Sequence, residues 1–467
     1  MSIYKACDIR GVYPTSLDEK TSYEIGAALG TMLGPVSVLV AGDVRVSTPP
    51  LKESLINGLV DAGCDVVDIG MAPTPAFYYA LRRLSAESGV TVTASHNPAK
   101  YNGFKIAPHG QPMTEEVMDE LRKMVEEGGF RAGKQGQGSV RKAEILDDYK
   151  AFVLQAIDEL MGARYWAQCS GKGLKAVVDC GNGCYSTIAP EVLRSVGIAV
   201  EELYCWEDGS FPNREPNPAV AANLEALCSK VREIGADLGI AFDGDGDRVV
   251  FVDEAGNVVP SDNAIALFAG FLLKKHPGSR VVYDIKCSSL VSDAVKAAGG
   301  IPVMEKSGHA YIKNNLLING AVFAGEISGH FFFSMLKGDD GLFAALLMAE
   351  MIMAEGRSLS KMVEAQPKYF TTKDFRIPFS GSTAELFGTL KARLESDGGA
   401  SLSFLDGIRA EYSDGWGLIR ASVTEPLVTL RFEGKSIESL ERIREGFLAA
   451  DAGLLDAVRE AWARHLP

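Results

Sequence analysis

Residues 238–253 read LGIAFDGDGDRVVFVD, two short apolar runs on either side of an acidic turn. Neither run is long enough for an ordinary helix, and each is bounded by Asp and Gly, so both read as strands. A continuous apolar strand, without polar alternation, belongs in a sheet covered on both faces. The turn between them then sits at the carboxyl end of a buried strand, where ligands of open α/β sheets gather.

The same strand-then-polar-loop pattern recurs along the chain. Residues 36–41 (VSVLVA) precede a helix at 51–60, and residues 174–179 run into CGNG at 180–183. Residues 281–285 run into KCSS, and residues 321–324 run into GEISGH. Ile25, Leu29, Met32 and Leu33 share one helical face, as do Val117, Leu121, Met124 and Val125 behind a capping Thr114. Strands separated by helix-length segments imply βαβ units and mixed, mostly parallel sheets. Three similar α/β domains follow, at 1–140, 141–255 and 256–368. The stretch 128–140 (GGFRAGKQGQGSV), with five glycines, closes the first. Beyond residue 368 charges increase and strands alternate, so 369–467 reads as a smaller α+β domain with a helix at 436–448.

Composition agrees with several domains and excludes some partners. A chain of 467 residues is too long for one core, and 47 Lys plus Arg against 61 Asp plus Glu gives a net charge of −14. That balance argues against nucleic acid or an anionic membrane surface as a partner. The longest apolar run, 264–273, has ten residues where a membrane span needs about 20, and the first residues carry no secretory pattern. Eight cysteines occur without a CxxC pair, as expected of reduced thiols in a cytoplasmic protein.

Four loops carry candidate chemistry. Ser95 follows a strand beside His96, with Lys105 close enough in sequence to reach back to its hydroxyl. In isolation, such a serine caps a turn. Asp243, Asp245 and Asp247 repel one another unless a cation joins them, and magnesium with phosphate is the usual occupant. Glu254 would complete a calcium-loop spacing, but Arg248 stands at its glycine position and the flanks are strands. Glu326, Ser328 and His330 suit the hydroxyls of a sugar. Arg420, Ser422 and Thr424 suit a phosphate dianion. His309, in KSGH, reads alone as structural.

In order, Asp8-Ile9-Arg10-Gly11, TASHNP with YNGFK, DCGNG, DGDGDR, KSGH, GEISGH and RASVTEP resemble the α-D-phosphohexomutase family, most nearly its bacterial phosphomannomutase/phosphoglucomutase branch. The resemblance runs from about residue 4 to residue 434. It implies four domains around a deep cleft, the first three alike. It implies that Ser95 is a phosphoserine that gives up and recovers a phosphoryl group, with Asp243, Asp245, Asp247 and the Ser95 phosphate holding Mg²⁺. Arg10, Lys105, Lys286, His309 and His330 would line the cleft, Lys105 and His330 as proton carriers, with Arg248 also binding substrate. Glu326 and Ser328 would hold the sugar's 3- and 4-hydroxyls, and Arg420, Ser422 and Thr424 the idle phosphate. The implied reaction interconverts hexose 1- and 6-phosphates of mannose and glucose through a hexose 1,6-bisphosphate, which also serves as activator. The implied protein is a monomer or homodimer.

Three positions depart from the family pattern. Cys7 stands where many relatives carry Tyr, Val423 where Asn is usual, and Ser288-Ser289 where a more basic pair is usual. Two other readings are a phosphoglucosamine mutase and a sugar-phosphate sensor without turnover. The intact Ser95, three aspartates and Lys105 speak against the sensor.

Overall fold

A computed structural model describes residues 2–131, 138–162, 173–422, 426–449 and 451–463. Four sheets follow one another along the chain. The first contains β1 (Ile9–Val12), β2 (Ser37–Gly42), β3 (Asp65–Met71), β4 (Ser88–Val92), β5 (Tyr101–Ala107) and β6 (Val140–Lys142), in the order β1-β5-β4-β2-β3-β6. The second contains β7 (Lys175–Asp179), β8 (Ala199–Leu203), β9 (Leu238–Phe242), β10 (Val249–Asp253) and β11 (Val258–Val259), in the order β11-β10-β9-β7-β8. The third contains β12 (Arg280–Asp284), β13 (Ile301–Glu305), β14 (Phe323–Gly325), β15 (Phe331–Phe333) and β16 (Gly338–Asp339), in the order β13-β12-β14-β15-β16.

One arrangement appears three times. β2, β7 and β12 each pair in parallel with two neighbours, and the next strand returns antiparallel as β4–β5, β9–β10 or β14–β15. The sheets are therefore mixed, with a parallel centre and an antiparallel edge. The Ser95 loop, the aspartate loop and the GEISGH loop are the three reversals. An antiparallel return needs only a short loop, so each keeps its polar residues close to the end of a buried strand. All five residues of β9 and all five of β10 are buried, which fixes both ends of the acidic turn.

Two strands fall across the boundaries read from sequence. β6 pairs with β3 in the first sheet, beyond residue 140, and β11 pairs with β10 in the second, beyond residue 255. All three residues of β6 are exposed, so no apolar pattern marks it. Residues 132–137 of the glycine-rich stretch lie outside the described residues. Thr114 caps the helix Glu115–Glu127 as the sequence suggested, and Ser436, read as the first residue of the last helix, is instead the cap of Ile437–Leu448.

One core cluster spans the first three domains, beside a separate one within the first. The spanning cluster runs from Phe77 through Tyr149 and Tyr185 to Phe343, on the helix Gly341–Glu355. Twelve residues of that helix are buried, so it is apolar all round and has no amphipathic period. At its start, Asp340 accepts hydrogen bonds from Tyr149 at 2.8 Å and Tyr185 at 3.1 Å. The fourth domain has an entirely antiparallel sheet of β17 (Phe370–Thr371), β18 (Phe375–Pro378), β19 (Ser401–Ser403), β20 (Ile408–Tyr412), β21 (Gly415–Ala421) and β22 (Leu427–Gly434). Its core is its own, and it meets the third domain through a small apolar cluster of Ile285, Trp416 and Leu418 together with polar contacts such as buried Arg409 on the Cys287 carbonyl. Among the described residues, no helix is long and apolar enough to cross a membrane.

Candidate active site

Beyond β4 the chain turns through Ser95, whose φ of 49° lies in the left-handed region that a non-glycine residue seldom occupies. That strain persists only where neighbours over-determine the turn. Thr93 Oγ1 accepts the Ser95 N–H at 2.9 Å. Arg45, fully buried, donates to the carbonyls of Ser95 (2.8 Å), Asn97 (2.6 Å), Pro98 (2.8 Å) and Tyr101 (3.0 Å). Asp43 holds the Arg45 Nε at 3.0 Å. Thus a single guanidinium satisfies four carbonyls of the serine loop.

The aspartate loop comes from the second domain and meets this turn edge to edge. A Cβ at Gly244 would lie 2.8 Å from the Ser95 carbonyl oxygen, and Gly246 has φ +80° with the Tyr185 ring behind it. Glycine at these two positions lets the loops touch. Ser95 Oγ donates to Asp243 Oδ2 at 2.8 Å, and Asp243 Oδ1 accepts the Gly246 and Arg248 N–H groups. Asp245 Oδ2 accepts from Thr74 at 2.8 Å and Lys105 Nζ at 2.6 Å, and Lys105 also pairs with Asp247. Arg214 braces the loop from beneath, donating to Asp179 Oδ2 and the Phe242 carbonyl, both at 2.8 Å.

These aspartates are nearly inaccessible, yet one oxygen from each lies within 4.8 Å of the others. Burial, followed by the charges of Asp247 and Asp245, pushes the Asp243 carboxyl well above the usual carboxylate range. Asp245 Oδ1 is buried without a hydrogen bond, and Asp247 Oδ1 has the ion pair with His330 in place of one. Under-satisfied anionic oxygens in an oxygen-only set are what a hard divalent cation would satisfy, so the residues fit a metal of that class. Glu254 is not among them. Its carboxylate takes the Ser360 hydroxyl at 2.5 Å, which removes the calcium-loop reading.

Above the aspartates lies a cleft of about 400 Å³. Arg10, Lys105, Asp247 and Arg248 line one side, and His309, Glu326, Ser328, His330 and Arg420 the other. A chain of charged contacts crosses it. Lys105 meets Asp247, Asp247 Oδ1 lies 3.3 Å from His330 Nε2, and His330 Nδ1 lies 3.0 Å from Glu326 Oε2. Burial opposes charge on His330, but Asp247 and Glu326 outweigh it and raise its pKa to about 9. Arg10 reaches under the serine loop to the Ala94 carbonyl and the Asn97 side chain. His309 is held by Asp339 at 2.9 Å and stacked on Tyr78, so it is anchored as well as cleft-facing.

Other expected residues are placed differently. Lys286 pairs with Asp374 at 3.4 Å and lies close enough to Glu326 and Arg420 of the cleft to feel their charges. Arg420 faces the cleft while paired with Asp406 at 2.9 Å. Ser422 is at the end of β21, its N–H on the Leu427 carbonyl, whereas Val423 and Thr424 lie outside the described residues. The departures at Ser288 and Ser289 serve packing: Ser288 caps the helix Ser289–Ala297, and Ser289 N–H donates to Glu433 of the fourth domain. Cys7 lines the cleft beside Tyr311, which brings an aromatic ring from the third domain. Burial raises the Cys7 thiol to about 11.

Sequence reading assigned no role to Arg45, Arg214, Thr74 or His96. His96 Nδ1 lies 3.5 Å from Ser95 Oγ, and burial, with Arg248 and Arg10 nearby, keeps the ring neutral. Its adjacency to Ser95 was the one available signal. The others act across long sequence separations that no local pattern reports.

Four successive family descriptions match the chain: phosphoglucomutase/phosphomannomutase alpha/beta/alpha domain I at residues 1–132, domain II at 155–256, domain III at 260–370 and the C-terminal domain at 379–450. A phosphomannomutase/phosphoglucomutase of Pseudomonas syringae pv. tomato is 41% identical over 456 residues, covering 96% of this chain and 94% of that protein. A phosphoglucomutase of Neisseria meningitidis serogroup A is 35% identical over 454 residues, covering 96% of each. The crystal structure of a phosphoglucomutase/phosphomannomutase family protein from Burkholderia thailandensis superposes with a TM-score of 0.86 at 35% identity, covering 97% of this chain and 98% of that one.

Proposed function

The chain belongs to the phosphoglucomutase/phosphomannomutase family and is a hexose phosphate mutase, and we propose that it moves the phosphoryl group by way of Ser95. The observation that carries this reading is the Ser95 hydroxyl set 2.8 Å from Asp243, on a strained turn braced by Arg45. The substrate is a hexose 1-phosphate or 6-phosphate, of glucose or mannose. A hexose 1,6-bisphosphate is both the intermediate and the activator.

Phosphoryl transfer depends on in-line placement and on neutralising the equatorial oxygens. Asp243, Asp245, Asp247 and the Ser95 phosphate are the residues that would hold Mg²⁺, which supplies Lewis-acid neutralisation of the transferring group when bound. Arg420, Ser422 and Thr424 hold the phosphate that is not reacting, while Glu326 and Ser328 orient the sugar ring. The free sugar hydroxyl attacks the phosphorus of phosphoserine, and the bond from phosphorus to Ser95 Oγ breaks. The proton lost by that hydroxyl is relayed along the chain of Glu326, His330, Asp247 and Lys105, which spans the cleft from the sugar side to the serine side, and is returned to Ser95 Oγ, so that the serine leaves as a neutral hydroxyl. The bisphosphate then turns over, and Ser95 Oγ takes back the other phosphoryl group.

Both orientations must fit one cleft. The apolar part of the junction between the third and fourth domains is small (Ile285, Trp416 and Leu418). The rest is polar, as in Ser289 with Glu433 and Lys286 with Asp374, contacts that a fourth domain adjusting its phosphate grip would have to exchange. A linked assay of glucose 1-phosphate conversion, with and without glucose 1,6-bisphosphate, tests the reading. Turnover stimulated by the bisphosphate is expected. A protein that binds hexose phosphate without converting it would instead be the sensor.

A further inference from the structure

Behind the cleft, on the far side of Tyr78, lies a second cavity of about 590 Å³ that the reaction does not use. It opens between the helix Thr74–Arg83 of the first domain and the helix His309–Ile318 of the third. Lys313 lines it and is only 5% exposed. Among the described residues, its ammonium makes no hydrogen bond and has no carboxylate within ion-pair distance, Asp339 and Asp247 offsetting its charge only from farther off; its Nζ sits 3.1 Å from the centroid of the Tyr78 ring. Burial lowers the Lys313 pKa to about 7, an indication of how poorly its charge is compensated. Arg82, Lys337 and His109 also line the cavity, and Glu87 is the one carboxylate there. Arg82 donates to the Leu336 carbonyl at 2.8 Å, which sets its guanidinium across the domain junction beside Lys337.

A buried ammonium without an acceptor is expensive, and Lys313, Arg82 and Lys337 outnumber Glu87 in the lining and Asp339 near Lys313, which leaves the cavity net positive. Neutral ligands would not relieve either cost. We propose that this cavity is a second anion site, built for a phosphate dianion carried as inorganic phosphate or as a small phosphate monoester, with Lys313 as its central contact and Arg82 and Lys337 at its rim. The site is separate from the Arg420 phosphate grip, because Tyr78 and the His309–Ile318 helix stand between them. Tyr78 walls both cavities, so an occupant here restrains the ring that stacks on His309.

Isothermal titration of the full chain with inorganic phosphate, and separately with glycerol 3-phosphate, tests this against Lys313→Met and Lys337→Gln. Wild type should show one more class of binding site than Lys313→Met, whose affinity at that site falls at least about tenfold. Lys337 is exposed, so Lys337→Gln should fold normally and weaken the site roughly two- to fivefold. Binding of either probe in this manner supports the site, and the tighter of the two names its source. Identical isotherms for wild type and Lys313→Met would overturn it. Should Lys313→Met fail to fold, an unchanged isotherm for Lys337→Gln would overturn it equally.

Discussion

Ser95 Oγ of the first domain donates a hydrogen bond to Asp243 Oδ2 of the second at 2.8 Å, across the junction of two separate sheets. The contact exists because both residues occupy the same place in repeated units, the reversal after the third parallel strand. Gly244 lets the two reversals approach to van der Waals distance.

The metal reading predicts opposite effects on the free and the loaded protein. Asp243→Asn removes one of three buried like charges but keeps an oxygen for the Gly246 and Arg248 N–H groups. The chelated variant should therefore melt no lower than chelated wild type. Adding Mg²⁺ should raise the wild-type melting temperature and raise that of the variant much less, since stabilisation follows the binding constant. Calorimetry with and without chelator checks both statements.

Arg45 should be indispensable as a guanidinium. Arg45→Lys keeps the charge, but one ammonium cannot serve four carbonyls spread from Ser95 to Tyr101. Each buried carbonyl left unpaired costs about 1–3 kcal/mol. A loss of several kcal/mol in urea denaturation is expected, with kcat falling at least about tenfold as the serine turn relaxes. A variant of wild-type stability and rate would remove Arg45 from this role.

Lys313 gives a pH signature whose sign is fixed. Its pKa falls from 10.5 in the unfolded chain to about 7 in the fold. The unfolded chain then binds more protons between those values, so this group adds stability as pH rises through that window and its penalty is complete below pH 7. The ceiling is about 5 kcal/mol at about 1.4 kcal/mol per pH unit. Lys313→Met should melt above wild type at pH 6, with the gap closing towards pH 10, in phosphate-free buffer.

Glucose and mannose differ only at carbon 2, while Glu326 and Ser328 are assigned to carbons 3 and 4. A site that does not read carbon 2 cannot discriminate strongly there. The ratio of kcat/KM for the two 1-phosphates should stay below about a thousandfold, or about 4 kcal/mol. Parallel coupled assays measure it.

What the sequence disclosed was whatever is contiguous. Ser95, the three aspartates and Glu326 each stand in a short loop directly after an apolar strand, so residue type and position were visible together. Arg45 was not, because its four acceptors lie about fifty residues away and nothing local marks a buried guanidinium. Lys313 was missed because a buried lysine on a helix looks like an exposed one until the helix is packed. The helix Gly341–Glu355 gave no period because it is buried on every face, and β6 gave none because it is exposed on both. Lys286 follows a strand end as expected, and its pairing with Asp374 of the fourth domain is a contact set by domain packing that no local pattern reports.

The most direct test follows the phosphoryl group itself. The protein is incubated with phosphorus-labelled glucose 1,6-bisphosphate, digested, and mapped by peptide mass spectrometry alongside Ser95→Ala. The account predicts a single labelled residue, Ser95, with label and mutase turnover both lost in the variant while its circular dichroism is unchanged. Label on a different residue, or turnover that survives Ser95→Ala, would contradict it.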